Sequence, residues 1–167
     1  MDVTVESIKA LRDKTGAGIM DCKRALEQAD GRLDEALSIL HDKGAATVAK
    51  KALRATEEGL VDAYVHSGER IGAIVEVNCE TDFVARTAEF KELTHSIAMQ
   101  VAAMAPLYVD ESEISDEKAH DPQETCLLQQ AFIRDGEKTV QDLVNEAVAK
   151  LGENIKIRRF VRFAIGE

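Results

Sequence analysis

Tryptophan is absent from this sequence, and aromatic residues of all kinds make up only 4% of it. Aliphatic side chains must therefore fill most of any core. A chain of 167 residues with 45% hydrophobic content is long enough to build one medium domain or two small ones. No apolar run reaches the about 18 residues of a membrane-spanning helix, and no signal-peptide pattern follows Met1. Cysteine is sparse. Cys22, Cys79 and Cys126 are odd in number, far apart and outside any CxxC pair. That favours free, reduced thiols in a cytoplasmic protein over a disulfide framework. Positive charge is in deficit, with 21 Lys and Arg against 31 Asp and Glu and a net charge of −10. Such a balance argues against broad binding to nucleic acid or to an anionic membrane, both of which need a basic face. His41, His66, His95 and His120 do not sit at metal-ligand spacing, and neither GxGxxG nor GxxxxGK[ST] occurs. No catalytic constellation is visible, so the reading is of a non-enzyme with no cofactor and no metal.

The charge that is present divides unevenly. Residues 1–56 carry 10 basic and 9 acidic side chains, and residues 57–167 carry 11 and 22. This asymmetry points to two modules with different surfaces. In the first, residues 1–44, three amphipathic helices are expected. Thr4 caps a stripe of Val5, Ile8 and Leu11, and Thr15-Gly16-Ala17-Gly18 breaks it. Ile19, Cys22, Ala25, Leu26 and Ala29 make the second stripe; Leu33, Ala36, Leu37 and Leu40 make the third, closed by Gly44. Residues 45–56 favour a basic linker helix.

From Gly59 the apolar period shortens to two. Val61, Ala63 and Val65 alternate with polar residues. After a turn at Ser67–Arg70, Ile71–Val77 reads as a buried strand, which makes a hairpin. Phe90, Leu93, Ile97, Val101 and Met104 line a helix ended by Pro106, and Leu107–Val109 reads as a short edge strand. Residues 110–124 hold seven acids and one lysine, the composition of a solvated loop or excursion. Thr139-Val140-Gln141-Asp142 resembles a capping box at the head of another helix, which Gly152 stops. In the last strand Ile155, Ile157, Val161, Phe163 and Ile165 are expected on one face, with Lys156, Arg158, Phe160 and Arg162 on the other. Residues 57–167 thus read as ββα(β)αβ. The fold class is α+β: a three-helix bundle followed by an antiparallel sheet with helices on one face.

Two short stretches stand out. CETDFV, residues 79–84, ends a strand and precedes a helix. A phenylalanine in such a polar turn either folds into the core or is held out for a partner. GAGIM, residues 16–20, puts Ile19 on the buried stripe and Met20 off it, and an exposed Met suits an adaptable partner surface. Three classes of function remain open on these residues. One is a binding protein acting through these stretches. Another is an adaptor using residues 4–43 alone. The third is an RNA binder using the basic strand at Lys156–Arg162.

The stretch IKALRDKTGAGIMDCKRALEQADGRLDEALSILHDKGAATVAKKA resembles the ubiquitin-associated-like module of the bacterial elongation factor Ts family. EVNCETDFVA is similar to that family's most distinctive motif, and KTVQDLVNEAVAKLGENIKIRRFVRF to the end of its core. The resemblance covers nearly the whole chain. It implies nucleotide exchange on the GTPase elongation factor Tu, with Thr81, Asp82, Phe83 and Val84 entering near the GTPase's magnesium site and Phe83 held outward. It further implies that the N-terminal module grips the GTPase through Arg12, Ile19 and Met20. Longer members carry two related core subdomains, whereas residues 57–167 have room for one, so two chains pairing as a homodimer would restore the second. Ser96-Ile97-Ala98-Met99-Gln100 stands where members of the family can read HIAMH, so no histidine contact carries over.

Overall fold

A computed structural model describes residues 3–114 and 121–167 of the chain. Its first three helices are α1 (Val5–Thr15), α2 (Ile19–Gln28) and α3 (Leu33–Lys51). Thr4 caps α1 as expected: its hydroxyl accepts from the Ser7 N–H at 3.2 Å, and the Ser7 hydroxyl accepts from the Thr4 N–H at 3.1 Å. Leu11, Cys22, Ala25, Leu26, Ala29 and Ala36 form the buried centre of the bundle. Val5 and Ile19, expected within the stripes, are exposed instead. Each is the first residue of its helix, one turn beyond the packed stripe.

Gly44 does not close the third helix. α3 runs through it to Lys51, and a Cβ at Gly44 would lie 3.5 Å from that of Ala149. Packing against a neighbouring helix offsets the about 1 kcal/mol that a mid-helix Gly costs relative to Ala. The expected linker helix is therefore the second half of α3. Val48 packs on the core, and the Lys51 ammonium donates to the Gly152 carbonyl.

The core sheet has the order β1-β2-β5, antiparallel throughout. Strand β1 is Glu58–Val65 and β2 is Ile71–Cys79. A one-turn helix, α4 (Asp82–Ala85), follows, then α5 (Ala88–Met104). After Pro106 the expected edge strand reduces to a single bridge between Tyr108 and Cys126. Part of the acidic stretch expected to be a solvated loop, residues 115–120, lies outside the described residues. Around it stand a 3-10 turn at Glu111–Glu113 and a short helix, α6 (Pro122–Thr125). A small hairpin, β3 (Ala131–Phe132) and β4 (Asp135–Thr139), comes next. It leads into α7 (Val140–Leu151), whose capping box at Thr139 and Asp142 is present, and the chain ends in β5 (Lys156–Ala164).

Helix α5 packs on one face of the sheet, and α7 packs beside it against α3, α5 and the β3–β4 hairpin. Phe90, Ile97, Val101, Val140, Val144 and Val148 share one buried core with Ala73, Val75, Val77 and Ile157. Met104, the last residue of α5, is nearly half exposed and lies outside the buried stripe. Two expectations about the sheet faces reverse. In β1, Leu60 and Tyr64 turn toward the helices, and Val61, Ala63 and Val65 turn away. Asp62 is tolerated on the helix side because its carboxylate meets His95 Nδ1 of α5 at 3.0 Å. In β5 a bulge intervenes: Val77 pairs with Ile157 and Glu76 with Arg159, so Arg158 is the extra residue. Beyond it every side chain changes face. Phe160 joins the core, and Arg162 Nε donates to the Ala102 carbonyl at 3.0 Å. Val161, Phe163 and Ile165 face outward. The register aligns Ala63, Ile74 and Val161 in one row, and Val65, Gly72 and Phe163 in the next. The result is a largely apolar sheet face that no helix covers among the described residues.

Candidate functional site

The site is built where β2 ends. Cys79 is the last residue of the strand, fully buried, and its Sγ–H donates to the Thr81 carbonyl at 3.2 Å. Glu80 and Thr81 are past the sheet, so their main-chain N–H groups need other partners. Both find Glu153, whose Oε2 accepts from Glu80 N at 3.1 Å and from Thr81 N at 3.0 Å. The Thr81 hydroxyl donates to Glu153 Oε1 at 2.6 Å and accepts from Val84 N at 3.4 Å, so Thr81 caps α4 while it is itself held.

Residues Glu80 and Asn154 complete the arrangement. Asn154 N donates to Glu80 Oε1 at 2.7 Å, and Arg54 approaches the other oxygen at 3.3 Å. These donors, the Asn154 amide first and the Arg54 guanidinium second, hold the Glu80 carboxyl below its usual pKa. The Asn154 side chain donates to the carbonyls of Ala52 and Arg54. Three segments are thereby tied together: the connector after α3, the turn after β2, and the turn after α7. Gly152 makes the last of these sharp, ending α7 at φ 75°.

The sequence-predicted residues fall as follows. Thr81 and Val84 are half-buried, and Val84 packs against the core. Asp82 pairs with Arg86 at 2.7 Å. Phe83 is 78% exposed, which decides the question its position raised: it does not fold into the core. In the helical module Arg12, Ile19 and Met20 are all exposed, the last two at 55% and 57%. The loop between α1 and α2 lies near the same end of α7: a Cβ at Gly16 would be 3.8 Å from Lys150 Cδ. Lys150 is in the last turn of α7, three residues before Glu153. Glu153, Asn154 and Arg54 escaped the sequence reading. Glu153 lies 72 residues from Thr81 in the chain, and no local spacing marks that partnership.

Among the described residues no group of three or more His, Cys, Asp or Glu is placed to hold a metal ion, and no helix is long and apolar enough to cross a membrane. Fold and site together define a class: an α+β protein whose N-terminal helices run by one long helix into an antiparallel sheet, with an aromatic displayed on a hydrogen-bonded turn. The family model described as Elongation factor TS matches residues 6–123 and 118–167. Elongation factor Ts of Thermoanaerobacter sp. (strain X514) is 50% identical, with 99% of this chain and 96% of that protein covered. The proteins of the same name from Moorella thermoacetica and Thermotoga neapolitana are each 46% identical over at least 99% of this chain. The chain belongs to the elongation factor Ts family. These alignments run over 195 positions against 167 residues, so the relatives carry residues that this chain lacks.

The buried Cys79 yields a test of the site's packing. Burial, with the nearby Glu153 carboxylate adding to it, pushes the thiol up to about 11. A group raised in the folded state stabilises fully below its unfolded pKa, and that stability is lost as pH rises toward the folded value. Denaturation midpoints should thus fall from about pH 8.5, where free thiols ionise, toward about 11. Cys79→Ala should flatten that loss. Equal alkaline slopes in the two proteins would contradict the buried, neutral thiol.

Proposed function

We propose that this protein is a nucleotide exchange factor for elongation factor Tu, acting in the cytoplasm, and that Phe83 is the group it drives into the GTPase. The observation that carries the reading is an exposed aromatic on a turn anchored by hydrogen bonds, in a chain of this family. GDP and Mg²⁺ hold the switch segments of a GTPase together. An aromatic inserted between packed elements favours an arrangement with weaker metal and phosphate contacts, and GDP then leaves faster. No covalent bond changes. Coupling is reciprocal, so incoming nucleotide in turn loosens the factor's hold. Asp82 enters beside Phe83. Its pair with Arg86 is solvent-exposed and is worth about 0–1 kcal/mol, so it does not impede redeployment of the carboxylate. Arg12, Ile19 and Met20 form the second point of the grip. The loop that these residues flank lies near the C-terminal end of α7, beyond which Glu153 reaches the Phe83 turn, and this supports a single partner touching both surfaces.

The experiment is Phe83→Ala with labelled GDP. Catalysed release should slow by about tenfold or more, within the range of typical allosteric couplings, while the melting temperature stays unchanged. A variant that melts as if it had lost the about 3–5 kcal/mol of a buried Phe, or that exchanges at the original rate, contradicts the wedge.

We also propose that two chains pair through the bare sheet face. Val61, Val65, Ile74, Val161, Phe163 and Ile165 are exposed together, a contiguous apolar surface of the kind that marks interaction sites. A two-fold pairing is self-complementary and would stack two sheets face to face. The ion pair found on this face among the described residues, Arg159 with Glu76 at 2.7 Å, is internally neutral and adds nothing to the repulsion expected from the net charge of −10. Sedimentation at micromolar concentration should give twice 18.3 kDa. Phe163→Asp should give the monomer mass. Phe160, expected on this face, instead packs in the core, so substituting it would test folding rather than pairing. A wild-type protein that is monomeric at every accessible concentration rules the pairing out.

A further inference from the structure

We propose that Glu153 is a positioning residue for exchange, setting where Phe83 stands without touching the partner. This inference rests on the wedge reading above and deepens it. The geometry is that of an anion held by two successive main-chain N–H groups and a hydroxyl. A carboxylate is suited to this place because it offers acceptors only. All three groups that face it are donors, and hydrogen bonds to a charged acceptor are roughly twice as strong as neutral ones. Glutamine has a similar shape but would turn an NH₂ toward a donor.

The contact is reciprocal. Glu80 and Thr81 donate to Glu153, and Asn154 N donates back to Glu80. Two dipeptides from distant parts of the chain therefore clasp each other. The hydroxyl that Glu153 accepts from is the one that caps α4, so its effect passes through Thr81 to Val84 N, on either side of Asp82 and Phe83. With the clasp intact the exposed ring is delivered in one direction. Without it, the single turn of α4 loses the support of its cap, and the bound ring spends less of its time in the orientation that opens the GTPase.

The test is a double-mutant cycle on full-length protein, read as maximal GDP-release rate and as affinity for the GTPase. Glu153→Gln and Glu153→Ala should each slow the maximal rate by roughly fivefold to tenfold, consistent with couplings between residues in one network. Affinity should change less than twofold. In the Phe83→Ala background the same substitutions should have no further effect. Hydrogen exchange of the Glu80 and Thr81 amides in the free protein should speed up in both variants and recover in part in Glu153→Asp. Faster amide exchange with an unchanged release rate would overturn the positioning role and leave the wedge standing. A loss that is equally large with and without Phe83 would show that Glu153 serves stability alone. Should Glu153→Ala fail to fold, Glu153→Gln carries the comparison, and unchanged amide protection in it would refute the clasp. Failure of Phe83→Ala to slow release overturns the wedge reading itself, independently of what Glu153 does.

Discussion

The turn that displays Phe83 is held by one carboxylate placed where a strand stops. Beyond Cys79 the chain leaves the sheet and two N–H groups lose their ladder partners. Glu153 takes both, and the Thr81 hydroxyl as well. A fully buried donor left unpaired costs about 1–3 kcal/mol; these two are part-buried and lose less, but the turn still follows the side chain that satisfies them. The pairing also couples distant segments. Asn154 bonds the connector after α3 while its own amide holds Glu80. The end of the N-terminal module, the displayed turn and the exit from α7 are thus one hydrogen-bonded unit.

A second constraint is the bulge at Arg158. One extra residue in β5 exchanges the faces of everything that follows. It brings Phe160 into the core and leaves Val161 and Phe163 outside, in register with Ile74 and the side chains of β1. Both faces of the sheet therefore carry large apolar side chains, the free one beside the Arg159–Glu76 ion pair. One face is covered by α5, and among the described residues no helix covers the other. Without the bulge the free face would carry Phe160 and Arg162 in place of Val161 and Phe163, and would be a poorer surface for pairing.

Much of this was legible in the amino-acid sequence, for reasons that differ by element. The capping boxes at Thr4 and Thr139 and the Gly stops at Gly16 and Gly152 are local chemistry, and the structure has them where the residues stand. The α+β order and the hairpin follow from apolar periods of 3.6 and two. Period alone does not say which side of a strand faces the helices, so β1 and the second half of β5 read inverted. Gly44 read as a stop because the neighbour that tolerates it, Ala149, is a hundred residues away. The β3–β4 hairpin carries no alternation. It is held by Gln100, which accepts from Ile133 N at 2.9 Å and donates to the Ala131 carbonyl at 3.0 Å. The candidate residues Thr81–Val84 were named through the family motif, but the residue that holds them was not. Glu153 acquires meaning only once the fold closes the loop.

The measurement that tests the account most directly is turnover. Elongation factor Tu loaded with labelled GDP, challenged with excess unlabelled nucleotide, should release its label completely when this protein is present at one-hundredth of the GTPase concentration. Each molecule would then have to act many times, as reciprocal coupling requires. Release limited to one label per added molecule, or a rate equal to that without the protein, would contradict the claim that the chain is an exchange factor.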